Sequence, residues 1–434
     1  MTTAETREAA LPPGPRGALL PLQFLTARHR MLPVWRRQYG DLFTLRMGPK
    51  HNIVALCTPE LVREALTGDP AAYHAGEGNA VVAPIMGAHS ILSVDEDAHL
   101  RLRKRLMPAF NGAALRGYRT MMTEVAEDFA ERWPVGRPVP AHTLTSAVSM
   151  EVIVRVVYGM DDGDRLTALR PLLRGLMPRS ALEFLGWLRP KLQRHRPWRR
   201  SVERLAAADE LINAELADRR AATDLADRAD VLSTLIAADP DLTDAELRDH
   251  LVTLLISGFG TTSTALAWAL YELARNPEVQ RAAHRAADDG DDAYLTAVVK
   301  EAMRSRPVLY TVPRRLALPV ELGGYLLPAG TELAIGLGPV LTDAAHHPRP
   351  DRFDPTRFVD ADPASGTWIP FGAGIRRCIG AGFALQESAA VLRALLRRYD
   401  FAPVGRPEAP KLRGVVLAPA KGGQVLATPR AVAG

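Results

Sequence analysis

Two cysteines, Cys57 and Cys378, are all that the 434 residues contain. That scarcity excludes a disulfide framework, and any thiol chemistry must rest on one residue at a time. No stretch approaches twenty consecutive apolar residues, so no membrane-spanning helix is expected. The amino end, from Met1 to Arg7, lacks the basic start and apolar run of a signal peptide. These absences predict a soluble, cytoplasmic protein with no membrane partner. Charge of one sign is also in short supply. With 54 basic and 49 acidic residues the net charge is +5, too small an excess for this length to argue for nucleic acid. Neither an internal repeat nor a low-complexity linker divides the chain. What is present is 47% hydrophobic residues, enough for a large core.

The run from Leu11 to Gly17 is proline-rich and is expected to lie extended on the surface. We therefore divide the chain into an N-terminal segment over 1–20 and a single domain over 21–434. A short helix pattern reaches Tyr39. Two strand-like runs follow, Leu42–Met47 and Asn52–Leu56, joined at Gly48 and Pro49. Cys57 closes the second run and reads as inert core. Amphipathic helices dominate from Leu100 to Arg304, and a β-like stretch covers Pro319–Ile335. A last helix follows Cys378, and a β-like tail runs from Val415 to Leu426. This order predicts a mainly α fold with a smaller β-rich part.

The most telling stretch is Phe371 to Gly380, which reads F-x-x-G-x-R-x-C-x-G. Cys378 stands there just before an apolar helix pattern. A thiolate at that place would receive backbone N–H groups and the positive end of the helix dipole. Gly372, Gly374 and Gly380 would let a flat ligand approach the backbone.

The longest helix pattern opens at Thr243 with Glu246 three residues on, a capping box, and should stop near Asn276 and Pro277. A helix of roughly 30 residues spans ~45 Å and must cross the core. Its middle carries Gly258 and Gly260, each costing about 1 kcal/mol in a helix. They imply either a local opening beside a ligand or close packing against another helix. Glu301 and Arg304 share a face at i,i+3 on a helix that starts near Asp291, and His99 and Arg103 share one at i,i+4.

Together and in this order, these motifs resemble those of the cytochrome P450 family, over nearly the whole chain. The resemblance implies the fold of that family, with haem between the long central helix and the helix of the cysteine loop. It implies haem b as cofactor, held by Cys378 as axial thiolate to the iron. Phe371 and Gly380 belong to the same loop. His99, Arg103, Arg314 and Arg376 match positions that contact the haem propionates, with Arg315 and Arg377 as one-residue alternatives. Glu301, Arg304 and Arg357 match a structural network that holds the haem loop. Thr261 matches a threonine at the oxygen site, whereas Gly260 stands where the family carries an acid. That departure puts the ordinary proton route in question.

The resemblance further implies an O2-using monooxygenase, monomeric, fed by ferredoxin and ferredoxin reductase. Its substrate is expected to be a small to medium apolar secondary metabolite of terpenoid, fatty-acid or polyketide type. Pocket candidates are Val82, Ile85 and Leu92, then Phe259, then Leu309 and Thr311, then Val415 and Val416. The surface cations Arg101, Lys104, Arg105 and Arg377 are candidates for guiding the electron donor. Two alternatives stand beside hydroxylation. Gly260 admits an oxidation ending in coupling, desaturation or rearrangement. A haem-binding sensor without turnover is the reading from another class.

Overall fold

Local sequence signals set the element ends. The structure is a computed structural model that describes residues 11–48, 51–159, 163–176, 183, 186, 187, 189–359 and 366–430. Its principal helices are α1 (Leu20–Tyr39), α2 (Pro59–Thr67), α3 (Glu96–Leu106), α4 (Gly112–Glu131), α5 (Ala141–Tyr158) and α6 (Asp164–Leu176). They continue as α7 (Trp198–Ala221), α8 (Val231–Ala238), α9 (Asp244–Arg275), α10 (Pro277–Asp289), α11 (Asp292–Ser305) and α12 (Ala381–Leu396). The strands are β1 (Leu42–Arg46), β2 (Asn52–Leu56), β3 (Tyr73–His74), β4 (Pro138–Pro140), β5 (Thr311–Leu316) and β6 (Val320–Leu322). After them come β7 (Tyr325–Leu327), β8 (Glu332–Gly336), β9 (Tyr399–Pro403), β10 (Pro410–Arg413), β11 (Val416–Pro419) and β12 (Gln424–Pro429).

The capping box forms at the head of α9: Glu246 Oε2 accepts from Thr243 N at 2.9 Å, and Thr243 Oγ1 accepts from Glu246 N at 3.3 Å. The helix then runs 32 residues. Among the described residues it is the one helix long and apolar enough, by length and composition, to cross a bilayer. Polar residues interrupt its apolar ones, yet 83% of the window that passes is buried inside the protein. Buried α9 organises the helical core, with α5, α11 and α12 contributing to the same cluster.

Gly258 resolves one of the two glycine readings. A Cβ there would fall 2.8 Å from Ile153 Cγ1 on α5, so this glycine serves helix packing. Thr145 Oγ1, also on α5, donates to Ser263 O at 2.8 Å and ties the two helices further.

The β part lies to one side. Five strands order as β1-β2-β8-β5-β3, with β2 and β8 parallel and the other pairs antiparallel. A three-stranded sheet β4-β12-β9 and the hairpins β10-β11 and β6-β7 complete it. The proline-rich segment departs from its expected surface course. Pro12 and Pro15 are buried, Pro13 O accepts from Thr44 N at 2.9 Å, and Gly14 packs on the Thr44 backbone. Residues 12–15 thus pack on the β layer, while the start of the 1–20 segment and the signal-peptide reading lie outside the described residues. Cys57 is buried beside β2, and desolvation pushes its thiol up to about 12, as inert core requires.

Candidate functional site

The cysteine loop is shaped by its glycines. Gly372 and Gly374 adopt φ of +70° and +64°, a region that favours glycine, and a Cβ on Gly374 would fall 2.3 Å from Leu66 O. Cys378 N donates to Phe371 O at 2.9 Å, which closes the loop on itself. Phe371 packs edge-on against Trp368 with centroids 5.9 Å apart. Gly380 then leads into α12, and Ala384 N donates to its carbonyl at 2.9 Å.

Cys378 is surrounded by protein and still open to solvent on one side. Burial pushes its thiol up, while the Gly380 N–H, Arg103 and Arg377 pull it back. Burial thus opposes the ionised sulfur, while the Gly380 N–H and the two arginines favour the form that a metal would take.

Four side chains from three parts of the chain gather near this loop. His99 on α3 is buried, and its Nδ1 is shielded from solvent without a hydrogen bond. Burial first, then Arg376 and Arg103, hold its imidazole down to about 4, with Asp95 opposing and Arg314 adding to the effect. Arg314 on β5 is buried and, among the described residues, donates to its neighbour Pro313 O alone, at 2.8 Å. Desolvation lowers Arg314 to about 10, and Arg376 adds to that. Arg376 is likewise lowered to about 10 by burial, opposed by Asp95. It donates to Ile91 O at 3.1 Å and Val94 O at 2.6 Å, and pairs with Asp95 at 2.5 Å.

Arg103, Arg314 and Arg376 thus all act on His99, with Asp95 as the carboxylate that opposes them. Partly desolvated cations so poorly matched call for an anionic partner. Exposure differs within each ambiguous pair. Arg314 faces inward while Arg315 is exposed and lies 3.4 Å from Glu77. Arg376 is bonded inward while Arg377 is exposed.

α9 packs against α12, the helix that follows the loop. Between Leu247 and Ala274 it is buried except at Arg248, Ser257, Gly258 and Thr261. Thr261 Oγ1 donates to Ser257 O at 2.8 Å. Gly260 is buried, and its carbonyl accepts from Thr264 Oγ1 at 2.8 Å.

The pocket candidates fall on segments that border α9. Ile85 and Phe259 are buried in the helical core, and Val82 and Leu92 pack against it. Leu309 packs on the β-sheet core, and Thr311 starts β5. Leu417 N donates to Val308 O at 2.8 Å and Trp268 Nε1 donates to Leu417 O at 2.9 Å, so the segment carrying Val415 and Val416 meets both α9 and residue 308.

The Glu301–Arg304 pair is buried, not superficial. Arg304 Nε donates to Glu301 Oε2 at 2.7 Å and Nη2 to Oε1 at 2.9 Å, with both side chains 0% exposed. Arg304 also donates to Leu341 O and Pro350 O, and Glu301 Oε1 accepts from Asp354 N at 2.9 Å. Arg357 Nε lies 3.6 Å from Glu301 Oε1, so it joins by charge more than by a hydrogen bond. Of the surface cations, Arg105 is tied to Asp239 at 2.5 Å, while Arg101, Lys104 and Arg377 stay exposed.

Two acidic residues escape a motif-based reading. Asp95 anchors Arg376 and also accepts from Gly76 N and Glu77 N, a role that only distant contacts reveal. Glu387 is a fully buried acid on α12. Its one sequence signal is a lone carboxylate inside an apolar helix pattern.

Known proteins are similar over nearly the whole chain. The family model described as Cytochrome P450 matches residues 12–427. A Mycobacterium tuberculosis protein named cytochrome P450 135A1 is 40% identical over 436 residues, covering 98% of this chain and 97% of that protein. One named cytochrome P450 135B1 from Mycobacterium bovis is 40% identical over 433 residues, covering 97% and 92%. The solved structure of retinoic acid bound cyanobacterial CYP120A1 superposes with a TM-score of 0.85, covering 98% of this chain and 100% of that one. At 20% identity, that likeness is one of fold.

Proposed function

The chain belongs to the cytochrome P450 family of haem-thiolate monooxygenases, whose cofactor is haem b on an axial cysteine thiolate, and from that premise we propose that Cys378 is the iron ligand and that the protein oxidises a small to medium apolar substrate. The observation that carries this reading is the cation cluster beside Cys378. Haem brings two propionates and an iron that takes a thiolate, and the buried Arg314 with the half-buried Arg103 and Arg376 offers charge to the first while Cys378 offers sulfur to the second. The shielded Nδ1 of His99 is a further unspent polar atom in that cluster. The residues present therefore fit the group.

When bound, haem supplies the activation of O2. The chain's own residues do the rest. Thr261 places a hydroxyl on the one open strip of α9, where it holds and passes a proton. The pocket segments bordering α9 present apolar side chains, which suits a terpenoid, fatty-acid or polyketide intermediate. Electrons come from a ferredoxin and its reductase, with Arg101, Lys104 and Arg377 as docking cations on a monomeric protein. Gly260 favours a second outcome, an oxidation that ends in coupling, desaturation or rearrangement, because no carboxylate stands at its position. Glu301, Arg304 and Arg357 act structurally, through the buried network.

The decisive experiment is Cys378→Ser in the haem-loaded protein. The red-shifted Soret band of the reduced carbon monoxide complex should disappear. Its survival would remove Cys378 as ligand. Product formation from apolar substrates with added ferredoxin, reductase and reduced nicotinamide separates the enzyme from a ligand-binding sensor, which would show a spectral shift alone.

A further inference from the structure

Packing of α4, α11 and α12 leaves a cavity of about 200 Å³ between them. None of the candidate haem contacts or apolar pocket residues lines it. Each helix brings polar side chains to it: Arg119 and Thr123 from α4, Asp292 and Thr296 from α11, Gln386 and Arg393 from α12. Met122, Ala389 and Ala390 are buried and supply the apolar part of the wall. Sites for drug-sized ligands run from roughly 300 to 1,000 Å³. This one therefore selects something smaller.

Its charges do not balance. Arg393 pairs with Asp292 through Nη2, yet its Nε is shielded from solvent without a hydrogen bond. The Arg119 guanidinium has no hydrogen bond or ion pair among the described residues, and Arg119 is the one lining residue that is exposed. Two cations thus line the cavity with one carboxylate, which is already paired. An exposed arginine alone calls for nothing but water. The shielded Nε of Arg393 differs, because a desolvated donor without an acceptor is costly. The neutral groups are also arranged. Thr123 Oγ1 donates to Arg119 O at 3.0 Å, so its lone pairs are left to accept. Gln386 Nε2 donates to Leu115 O at 2.8 Å, which fixes its amide against α4.

We propose that this cavity binds a small hydroxylated oxyanion, a hydroxy acid or a sugar phosphate. Its anionic end lies between Arg119 and Arg393, because guanidinium forks match carboxylate and phosphate oxygens. Its hydroxyls exchange hydrogen bonds with Thr123 and Thr296, and its carbon stem covers Met122 and the two alanines. So held, the ligand ties α4 to α12, the helix that follows Cys378. The site lies outside the haem-thiolate reading and goes beyond it.

The test is calorimetric titration of the haem-loaded protein with glycerate, glycerol 3-phosphate and acetate, at one ionic strength set with sodium chloride. Saturable binding of glycerate, glycerol 3-phosphate or both is expected, and the tighter of the two identifies the anionic end as carboxylate or phosphate. In Arg119→Gln the dissociation constant should rise roughly tenfold, the scale of one charged hydrogen bond. Arg119 has no partner to lose, so that variant keeps the fold. Thr296→Val removes one hydroxyl and should weaken the hydroxylated probe about fivefold, while the weaker binding of acetate stays unchanged. Failure of both hydroxylated probes to bind saturably, unchanged affinity in Arg119→Gln, or acetate bound as tightly as glycerate would overturn the proposal. None of these readouts involves iron. Their failure leaves the haem-thiolate reading standing, and loss of the carbon monoxide band in the unaltered protein leaves this site standing.

Discussion

Glu387→Gln isolates one buried proton. Glu387 lies on α12 nine positions after Cys378, is 0% exposed, and neither carboxyl oxygen has a hydrogen bond of normal geometry. Burial pushes its carboxyl from the ordinary 4.5 up to about 8, with the Ser149 hydroxyl of α5 offsetting part of that. In the folded protein the group is therefore neutral at pH 7, while in the unfolded chain it is ionised. Between pH 4.5 and 8 the fold binds one proton more than the unfolded chain, so stability falls as pH rises. The slope is about 1.4 kcal/mol per pH unit, and the loss levels off once pH passes the folded value. Over the whole window the loss is on the order of 5 kcal/mol. A chain of this length unfolds with an entropy of roughly 0.9 kcal/mol/K, so the melting temperature should drop by about 1.5 °C per pH unit. Glutamine keeps the shape and cannot ionise. The measurement is the difference in melting temperature between variant and parent from pH 5.5 to 8.5, both haem-loaded. The variant should gain on the parent by about 1.5 °C per pH unit from pH 5.5 toward pH 8, and little beyond it. Parallel curves would show that Glu387 is ionised or hydrated in the fold and would refute the argument from burial.

Arg314→Ala should weaken haem retention, read as haem lost to apomyoglobin, whereas Arg315→Ala should not, because only the first faces inward. Equal losses would undo the strand-face assignment. Glu301→Ala leaves Arg304 buried without its carboxylate and should cost about 3–5 kcal/mol, seen as a lower denaturation midpoint and haem-poor protein. A fully loaded, stable variant would mean the network is dispensable. Gly260→Glu puts a long side chain at a buried position of α9 and should impair binding of substrate or azole while haem incorporation stays intact. Unimpaired affinity with better coupling of electrons to product would show that the missing acid, not the space, is what the glycine changes.

Much of this protein was determined locally. The capping box at Thr243, the stop at Asn276 and Pro277, and the turns at Gly372 and Gly374 follow from residue type and spacing, because helix caps and positive-φ turns are satisfied within a few residues. The cysteine motif shares that property, and so named the family before any packing was known. Other features belong to tertiary structure alone. Whether Glu301 and Arg304 form a surface pair or a desolvated network depends on Leu341, Pro350 and Asp354 covering them. The packing role of Gly258 depends on Ile153, and the choice of Arg314 over Arg315 on which face of β5 meets the interior. Asp95 and Asp249 read as ordinary surface acids until the chain folds Arg376 and His89 onto them. Desolvation and charge pairing set these roles, and both are fixed by neighbours about 40 to 280 residues away in the chain, where composition and periodicity carry no signal.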